Sequence, residues 1–240
     1  MRLAFYDSVA KDMILSYIKA FEEHEKREST MFEYVQEREI GKPLESRTLV
    51  YVITVGEYEG LNSQKLTERG VNQLLEMARS RVATGVRIIY SATDKVAEKS
   101  AEILTTEFES KVQKMECLNM VRFGDKSDIT KEKLEKMWQN EEFQPVNGES
   151  LAESRERFGT CMGSIVVKHQ DDVFAVVVDP LLAVLFYTHI TAAPLDINEW
   201  HSMGYASCAT YEYSRGWSVV MPSDNSYLSE PTTVGDTLSA

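Results

Sequence analysis

Side chains that act as bases or nucleophiles are sparse in this sequence of 240 residues. It holds four histidines, which are His24, His169, His189 and His201. None of them sits at the carboxyl end of a segment that reads as a β-strand, which is where ligands bind in open α/β sheets. We therefore interpret all four as surface or packing residues. A serine nucleophile is not indicated either, because the sequence has no G-x-S-x-G motif.

Two other combinations of polar side chains could take part in catalysis or metal binding. Thr54 could act as a weak nucleophile beside Lys95 or Lys99, but a solvated helix face explains the two lysines more simply. Glu57 and Asp179 could hold a hard cation if the fold brought them together. Two carboxylates without a recognisable binding loop are a weak metal signal. We therefore predict no metal site and no cofactor.

Composition and charge exclude several classes of protein. A formal net charge of -12 argues against a general surface for nucleic acid or anionic membrane, since both need clustered Lys and Arg. No apolar run approaches the ~18–20 residues of a membrane span, and the N-terminus lacks the apolar core of a secretory signal. Cys117, Cys161 and Cys208 are odd in number and widely spaced, which favours reduced, mostly buried thiols. These features predict a cytoplasmic location.

The stretch that must position the candidate residues is 49–70, LVYVITVGEYEGLNSQKLTERG. Its first six residues have the composition of a buried strand, and Gly56 allows a tight exit. After a polar loop, apolar residues recur at helical spacing, namely Val71, Leu74, Leu75, Ala78 and Val82. The pattern predicts a strand, a loop and a helix, which is the front of an α/β unit.

The remaining segments continue this alternation. The sequence predicts strands at residues 86–90, 115–121 and 173–178 and a closing hairpin from 205–213 and 217–221. Helices are predicted near residues 94–108, 130–140, 151–166 and 181–187, the third of them opened by a capping box at Ser150 and Glu153. Strands that alternate with helices indicate an α/β fold, a three-layer αβα sandwich with a mostly parallel sheet.

Three regions are expected along the chain. Residues 1–47 form an N-terminal helical extension, because apolar residues trace one helical face before Gly41-Lys42-Pro43. Residues 48–228 form the α/β domain, with an inserted lobe at about 122–147, and residues 229–240 are a loose polar tail. The extension is either a brace packed on the domain or an interface for a partner or a second copy.

Five segments, in matching order, resemble the histidine phosphatase superfamily, the phosphoglycerate-mutase-like proteins. They are Gly56-Glu57 with Leu66-Thr67-Glu68-Arg69-Gly70, Tyr90-Ser91-Ala92 with the helix after it, Leu118 to Gly124, Asn147-Gly148-Glu149-Ser150-Leu151, and Val176-Val177-Val178 with Asp224-Asn225-Ser226-Tyr227-Leu228. Each segment alone is a weak signal, but five in the correct order are fairly specific. The resemblance spans roughly residues 49–228 and implies a phosphoglycerate-mutase-like fold.

The resemblance also implies where an active site would lie. In that superfamily a His attacks phosphorus, two Arg and a second His hold the phosphoryl oxygens, and a carboxylate protonates the leaving oxygen. The positions of the first Arg, the nucleophile, the second Arg, the acid and the second His are matched here by Thr54, Val55, Val96, Met120 and Asp179. All five side chains are replaced, and the residual pocket would consist of Gly56, Glu57, Asn62 and Lys95. The three apolar replacements predict a smaller, drier pocket.

These replacements favour a catalytically inactive, histidine-phosphatase-like protein that acts as a ligand-binding or protein-interaction domain. Its partner would be an unknown small molecule or protein, not nucleic acid and not a membrane. Two alternatives stay open. One is a phosphomonoesterase or phosphoglycerate-mutase-type enzyme that uses other residues, and the other is a structural subunit of a homo-oligomer assembled through residues 1–47.

Overall fold

The computed structural model describes residues 46–60, 65–125 and 130–238. In this part of the chain one sheet contains six strands, which are β1 (Thr48–Thr54), β2 (Ile88–Ser91), β3 (Lys111–Lys114), β4 (Val173–Val178), β5 (Cys208–Tyr213) and β6 (Trp217–Asp224). Their order is β3-β2-β4-β1-β5-β6. The first four in that order are parallel, and β5 and β6 are antiparallel to their neighbours. The prediction of a mostly parallel sheet is confirmed.

The centre of the sheet is formed by β1 and β4, whose residues pair from Leu49 with Val173 to Thr54 with Val178. Five of the six residues of β4 are buried, and the strand is uniformly apolar. This is the composition expected of a strand covered on both faces, because neither side meets water.

The helices of the described chain are α1 (Glu68–Arg79), α2 (Lys95–Phe108), α3 (Lys131–Gln139), α4 (Leu151–Val166), α5 (Pro180–Thr191), α6 (Ile197–Ser202) and α7 (Val234–Leu238). Helix α1 packs on α2, and α4 packs on α5. The two helix pairs cover the sheet and give the predicted three-layer αβα arrangement. It is the phosphoglycerate-mutase-like architecture.

Polar side chains cap most of these helices, and the sequence pattern predicted one of the caps. Ser150 accepts a hydrogen bond from the Glu153 amide, and the Glu153 carboxylate accepts one from the Ser150 amide, so the predicted capping box is confirmed. Asp179 caps α5 and is followed by Pro180, whose missing N–H costs nothing at the first helical position. These caps matter for function because Asp179 lies at the end of β4.

Two predictions for the middle of the chain are wrong. The third strand is Lys111–Lys114, not residues 115–121, which instead contain a short 3₁₀ helix at Glu116–Leu118. Leu118 and Val121 are buried by packing rather than by sheet pairing, which apolar content alone does not distinguish. The cysteines also differ from the prediction, because Cys117 is joined to Cys161 by a disulfide. The fold brings the 3₁₀ helix against α4, a contact that sequence spacing could not reveal.

The other cysteine and the C-terminal segment complete the domain. Cys208 is a free, buried thiol, and burial raises its pKa to about 12. The predicted loose tail after residue 228 is wrong for the described residues, because α7 forms there and the Val234 amide bonds the Met203 carbonyl at 3.0 Å. The predicted N-terminal extension, up to residue 45, lies outside the described residues.

Candidate functional site

The candidate site lies at the end of the sheet that is formed by the carboxyl ends of the parallel strands. β1 ends at Thr54 and β4 at Val178, and the Val55 amide donates to the Val178 carbonyl at 2.9 Å. The Ala206 amide donates to the Val55 carbonyl at 2.9 Å from the other side. The backbone at residue 55 is therefore tied to β4 and to the segment that precedes β5, so Val55 and Asp179 directly follow adjacent strands.

Thr54 is completely buried, and its hydroxyl serves the structure around it. The hydroxyl donates to the Gly204 carbonyl at 2.8 Å and accepts from the Ser207 amide at 2.8 Å. It also lies 3.1 Å from the Ser207 hydroxyl. The amine of Lys99, in contrast, pairs with Glu102 on an exposed helix face, and Lys95 is exposed. The structure does not bring Thr54 and Lys99 together as a nucleophile and its base.

Apolar side chains occupy three of the positions at which the resemblance placed catalytic groups. Val55 and Val96 are buried, and Met120, just after the 3₁₀ helix, is half-buried. Valine and methionine side chains have no hydrogen-bond donor and no titratable proton, so they can neither hold a phosphoryl oxygen nor transfer a proton. At these three positions the chain offers packing contacts and no acid–base chemistry.

The position after β4 carries a carboxyl group in an unusual environment. One oxygen of Asp179 accepts a hydrogen bond from the Leu181 amide at 2.9 Å, and the other accepts one from the Tyr58 hydroxyl at 2.9 Å. Burial raises the pKa of Asp179 to about 6, and the nearby Asp94 carboxylate adds to this increase. The hydrogen bonds from Leu181 and Tyr58 act against it, so desolvation dominates.

Asp94 and two tyrosines surround this carboxyl group, and the sequence reasoning did not select any of them. Asp94 caps α2 by accepting from the Ala97 amide at 2.9 Å, and burial raises its pKa. The Tyr58 and Tyr205 rings meet edge to face with centroids 5.6 Å apart. Burial raises the pKa of Tyr58 well above its usual value and that of Tyr205 to about 12, so both phenols stay neutral.

Glu57 belongs to a different set of contacts. Its carboxylate accepts from the Thr67 hydroxyl at 3.0 Å and pairs with Arg69 at 3.2 Å, while its amide donates to the Gln73 side chain at 3.2 Å. Gln73 in turn donates to the Thr232 hydroxyl at 2.8 Å. The structure therefore places Glu57 in a network that fastens α1 to the C-terminal segment.

The close approach of the end of β1 to the first turn of α1 explains Gly56, the glycine of the predicted pocket. A Cβ atom on Gly56 would collide with the Gly70 backbone, and one on Gly70 would collide with Glu57. Only glycine permits this contact between the end of β1 and the start of α1. Asn62, the remaining residue of the predicted pocket, lies outside the described residues.

A buried ion pair holds the loop that follows the 3₁₀ helix. The Glu149 side chain is 3% exposed and binds Arg157 through two contacts of 2.6 and 3.1 Å. Arg157 also donates to the carbonyls of Cys117 and Asn119 at 2.7 and 3.0 Å. This pair, together with the disulfide, anchors the loop that carries Met120.

The described histidines lie in different places. His169 precedes β4 and so lies at the amino-terminal end of this strand, opposite the candidate site. It contacts the Tyr90 hydroxyl at 2.7 Å and Asp172 at 3.1 Å. His189 lies in α5 and His201 in α6. Among residues 46–60, 65–125 and 130–238, no group of three or more His, Cys, Asp or Glu side chains is arranged to hold a metal ion. No helix of those residues is long and apolar enough to cross a membrane.

A cavity of about 250 Å³ lies beside the candidate site. It is lined by residues of α5, α6, β5 and β6, and Ser207 is one of them. The Ser207 hydroxyl contacts both Thr54, at 3.1 Å, and Ser223, at 2.6 Å. A hydroxyl chain therefore links the wall of the cavity to the end of β1.

Comparison with known proteins identifies the family. The sequence profile of the histidine phosphatase superfamily (branch 1) matches residues 54–225, so the chain belongs to this superfamily. No curated protein matches the chain significantly in sequence.

Solved structures of similar fold include three from bacteria. Bacillus stearothermophilus YhfR is 22% identical with a TM-score of 0.64, and the match covers 75% of this chain and 98% of that one. A mycobacterial glucosyl-3-phosphoglycerate phosphatase is 16% identical with a TM-score of 0.60, covering 73% and 98%. A phosphoglycerate mutase from Bacillus anthracis is 17% identical with a TM-score of 0.60, covering 76% and 96%. At these identities the similarity shows the fold alone.

Proposed function

We propose that this protein is a non-catalytic member of the histidine phosphatase superfamily, a cytoplasmic pseudo-phosphatase that acts by binding a ligand or a protein. The observation that supports the proposal best is the set of side chains at the carboxyl ends of β1 and β4. Val55 is buried there, and the nearest titratable partners of Asp179 are Tyr58 and Asp94.

A site of this composition is unsuited to phosphoryl transfer. A phosphate dianion needs several cationic donors, and its transition state is stabilised mainly by fixed positive charge. Asp179, once ionised, would repel a phosphate, and a valine cannot form a covalent phosphoryl intermediate. Loss of the proton donor alone typically forfeits roughly 10²–10⁴ in rate.

A binding role is favoured by two features of the described residues. The cavity of about 250 Å³ has room for a small molecule and connects to Thr54 through Ser207. The carboxyl groups of Asp179 and Asp94 also lie close enough to influence each other, which gives this end of the sheet an acidic character. A neutral or cationic ligand fits the acidic surroundings of this end better than a phosphoester.

Hydrolysis of p-nitrophenyl phosphate between pH 5 and pH 8 tests the loss of catalysis. We expect no turnover above background for the wild type. Thr54→Ser and Thr54→Ala form a matched pair, because only the serine variant keeps a hydroxyl, and Asp179→Asn tests the carboxyl group. Turnover that Thr54→Ala or Asp179→Asn abolishes would overturn the proposal. Turnover that none of the variants changes would instead indicate a contaminating phosphatase.

Thermal unfolding with phosphate, vanadate and a panel of phosphoesters at millimolar concentration tests recognition separately. A ligand at a hundredfold excess over its Kd stabilises the folded state by about 2.7 kcal/mol. We expect no shift of the unfolding temperature with any phosphoryl compound. A clear shift that Asp179→Asn or Val55→Ala alters would show that the site still binds phosphoryl groups.

A further inference from the structure

The cavity beside the candidate site has a buried floor and an acidic mouth. Val184, Ser207 and Tyr211 belong to the buried part of its lining, whereas Glu199 and Asp224 are exposed. Its volume of about 250 Å³ lies just below the roughly 300 Å³ at which pockets for drug-sized ligands begin. A molecule somewhat smaller than a typical drug therefore fits it, with one end at the floor and the other beside the carboxylates.

The floor of the cavity offers an unused hydroxyl group. The Tyr211 side chain is 2% exposed, and its ring contacts Phe186 with a centroid separation of 4.9 Å. Within the described chain no residue forms a hydrogen bond with the Tyr211 hydroxyl, although a tyrosine buried to this extent usually has a partner. Burial raises the pKa of Tyr211, so the phenol is a neutral donor. A ligand in the cavity can supply the missing acceptor.

The charges of the lining are negative. Glu199 and Asp224 are its carboxylates, and the described lining includes no Lys, Arg or His. Asp224 already accepts hydrogen bonds from the Ser226 amide at 3.0 Å and from the Ser226 hydroxyl at 2.8 Å. The Glu199 carboxylate has no partner within the described chain. An ammonium group can therefore pair with Glu199, while Asp224 adds negative potential that repels anions.

Much of the remaining lining is apolar. It includes the small side chains of Ala183 and Ala209, together with Val184 and the half-buried Tyr187. Such a surface favours the hydrocarbon part of a ligand, and a tyrosine ring also attracts an ammonium group. The lining thus suits a molecule with an apolar body, a positive group and a hydrogen-bond acceptor.

We propose that this cavity binds a small organic ammonium compound, whose positive group pairs with Glu199 and whose polar end accepts a hydrogen bond from Tyr211. This inference deepens the proposed binding role and rests on it. It names the class of ligand, and the two can fail separately, because a neutral ligand in the same cavity would satisfy the binding role alone.

Isothermal titration calorimetry on the full chain tests the class of ligand. The probes are tyramine and choline, each of which carries a positive nitrogen and a hydroxyl group. Their matched controls are p-propylphenol and dimethylbutanol, in which carbon replaces the positive nitrogen. We expect each ammonium compound to bind at least roughly tenfold more tightly than its neutral control.

Two variants locate the binding site. Glu199→Gln removes the negative charge and is expected to raise the Kd for tyramine at least roughly tenfold, with no change for p-propylphenol. Tyr211→Phe removes the hydroxyl alone and should weaken both compounds severalfold. The matched control is Glu102→Gln, which alters an exposed glutamate of α2 and should leave every affinity unchanged.

Thermal unfolding of Tyr211→Phe tests whether the hydroxyl is available to a ligand. Because the hydroxyl bonds no residue of the described chain, we expect the unfolding temperature of the wild type to be retained. A clear fall would mean that the hydroxyl has a partner within the protein, which overturns its assigned role.

The titrations separate failure of this inference from failure of the proposed function. Equal affinity for the ammonium compounds and their neutral controls overturns the ammonium site, and so does a wild type that binds none of the probes at millimolar concentration. Binding of the neutral compounds alone also overturns it but supports the binding role. Turnover of p-nitrophenyl phosphate that Asp179→Asn abolishes would instead overturn the proposed function.

Discussion

Two carboxyl groups of this domain, the buried Glu149 and the half-buried Asp179, lie in opposite electrostatic surroundings. Glu149 is held by the guanidinium of Arg157 through two contacts, and that same guanidinium fastens the loop after the 3₁₀ helix. Asp179 has a phenol and a backbone amide as its hydrogen-bond partners, with the Asp94 carboxylate nearby. One carboxyl group is paired with a cation, and the other is held partly protonated by burial.

This difference shows where the fold places positive charge. Arg157 is engaged in holding the loop that carries Met120, where Glu149 neutralises its charge. This arginine therefore contributes to the fold, whereas the described hydrogen-bond partners of Asp179 are a phenol and a backbone amide. Three measurements follow, in order of decreasing effect; two test the contrast between Glu149 and Asp179, and one tests the buried hydroxyl of Thr54.

The largest effect is expected from Glu149→Ala. This change leaves the Arg157 guanidinium, whose side chain is 23% exposed, without its carboxylate, and breaking such a pair typically costs about 3–5 kcal/mol. The free energy of unfolding from urea titration measures the loss. The double variant Glu149→Leu with Arg157→Met removes both charges and should cost clearly less. Equal costs for the single and double variants would contradict a role for the ion pair.

A smaller effect is expected from Thr54→Val. The substitution keeps the shape of the side chain but removes the hydroxyl that bonds Gly204 and Ser207, leaving buried backbone groups without partners. We expect a loss of about 2 kcal/mol in the free energy of unfolding. Thr54→Ser, which keeps the hydroxyl, is the control and should lose less. If Thr54→Val proved neutral, the hydroxyl would be free for another role, including the catalytic one.

The smallest effect concerns pH. The pKa of Asp179 is about 6 in the folded state against an ordinary value of 3.8, so the folded protein binds the proton more tightly than the unfolded chain does. The stability that Asp179 contributes is complete below pH 3.8 and is lost as the pH rises through 6. Asp179→Asn should therefore gain stability relative to the wild type, by about 1–2 kcal/mol between pH 4 and pH 7.5.

This comparison of variant with wild type isolates Asp179 from the other titrating groups. Urea titrations at pH 4, 5.5 and 7.5 give the three differences that are needed. Asn can also cap α5, so the helix start is preserved. A difference that does not change with pH would show that Asp179 is ionised throughout, and the contrast with Glu149 would then fail.

Much of the fold was predictable from local patterns. The β1 strand, the capping box at Ser150 and the uniformly apolar β4 are each encoded within a few residues, since composition and spacing decide them. The third strand was misplaced because Leu118 and Val121 are buried although they lie in or just after a 3₁₀ helix. Buried apolar residues there give the same sequence pattern as those of a buried strand.

The candidate site was less accessible to sequence reasoning. The sequence indicated Asp179 through its place after a strand, but it did not reveal that Tyr58 and Asp94 would surround it. These residues are 121 and 85 positions away, and their roles as a loop tyrosine and a helix cap gave no sign of a shared site. The same limit applies to Cys117 and Cys161, which are 44 residues apart.

The sequence by itself determined the superfamily, the alternation of strands and helices and the apolar residues after β1, because these depend on neighbouring residues. The tertiary structure alone decided the environment of each titratable group, the disulfide and the order of the strands in the sheet. Desolvation, charge pairing and strand order arise from contacts between residues distant in the chain, and such contacts exist only once the sheet has formed.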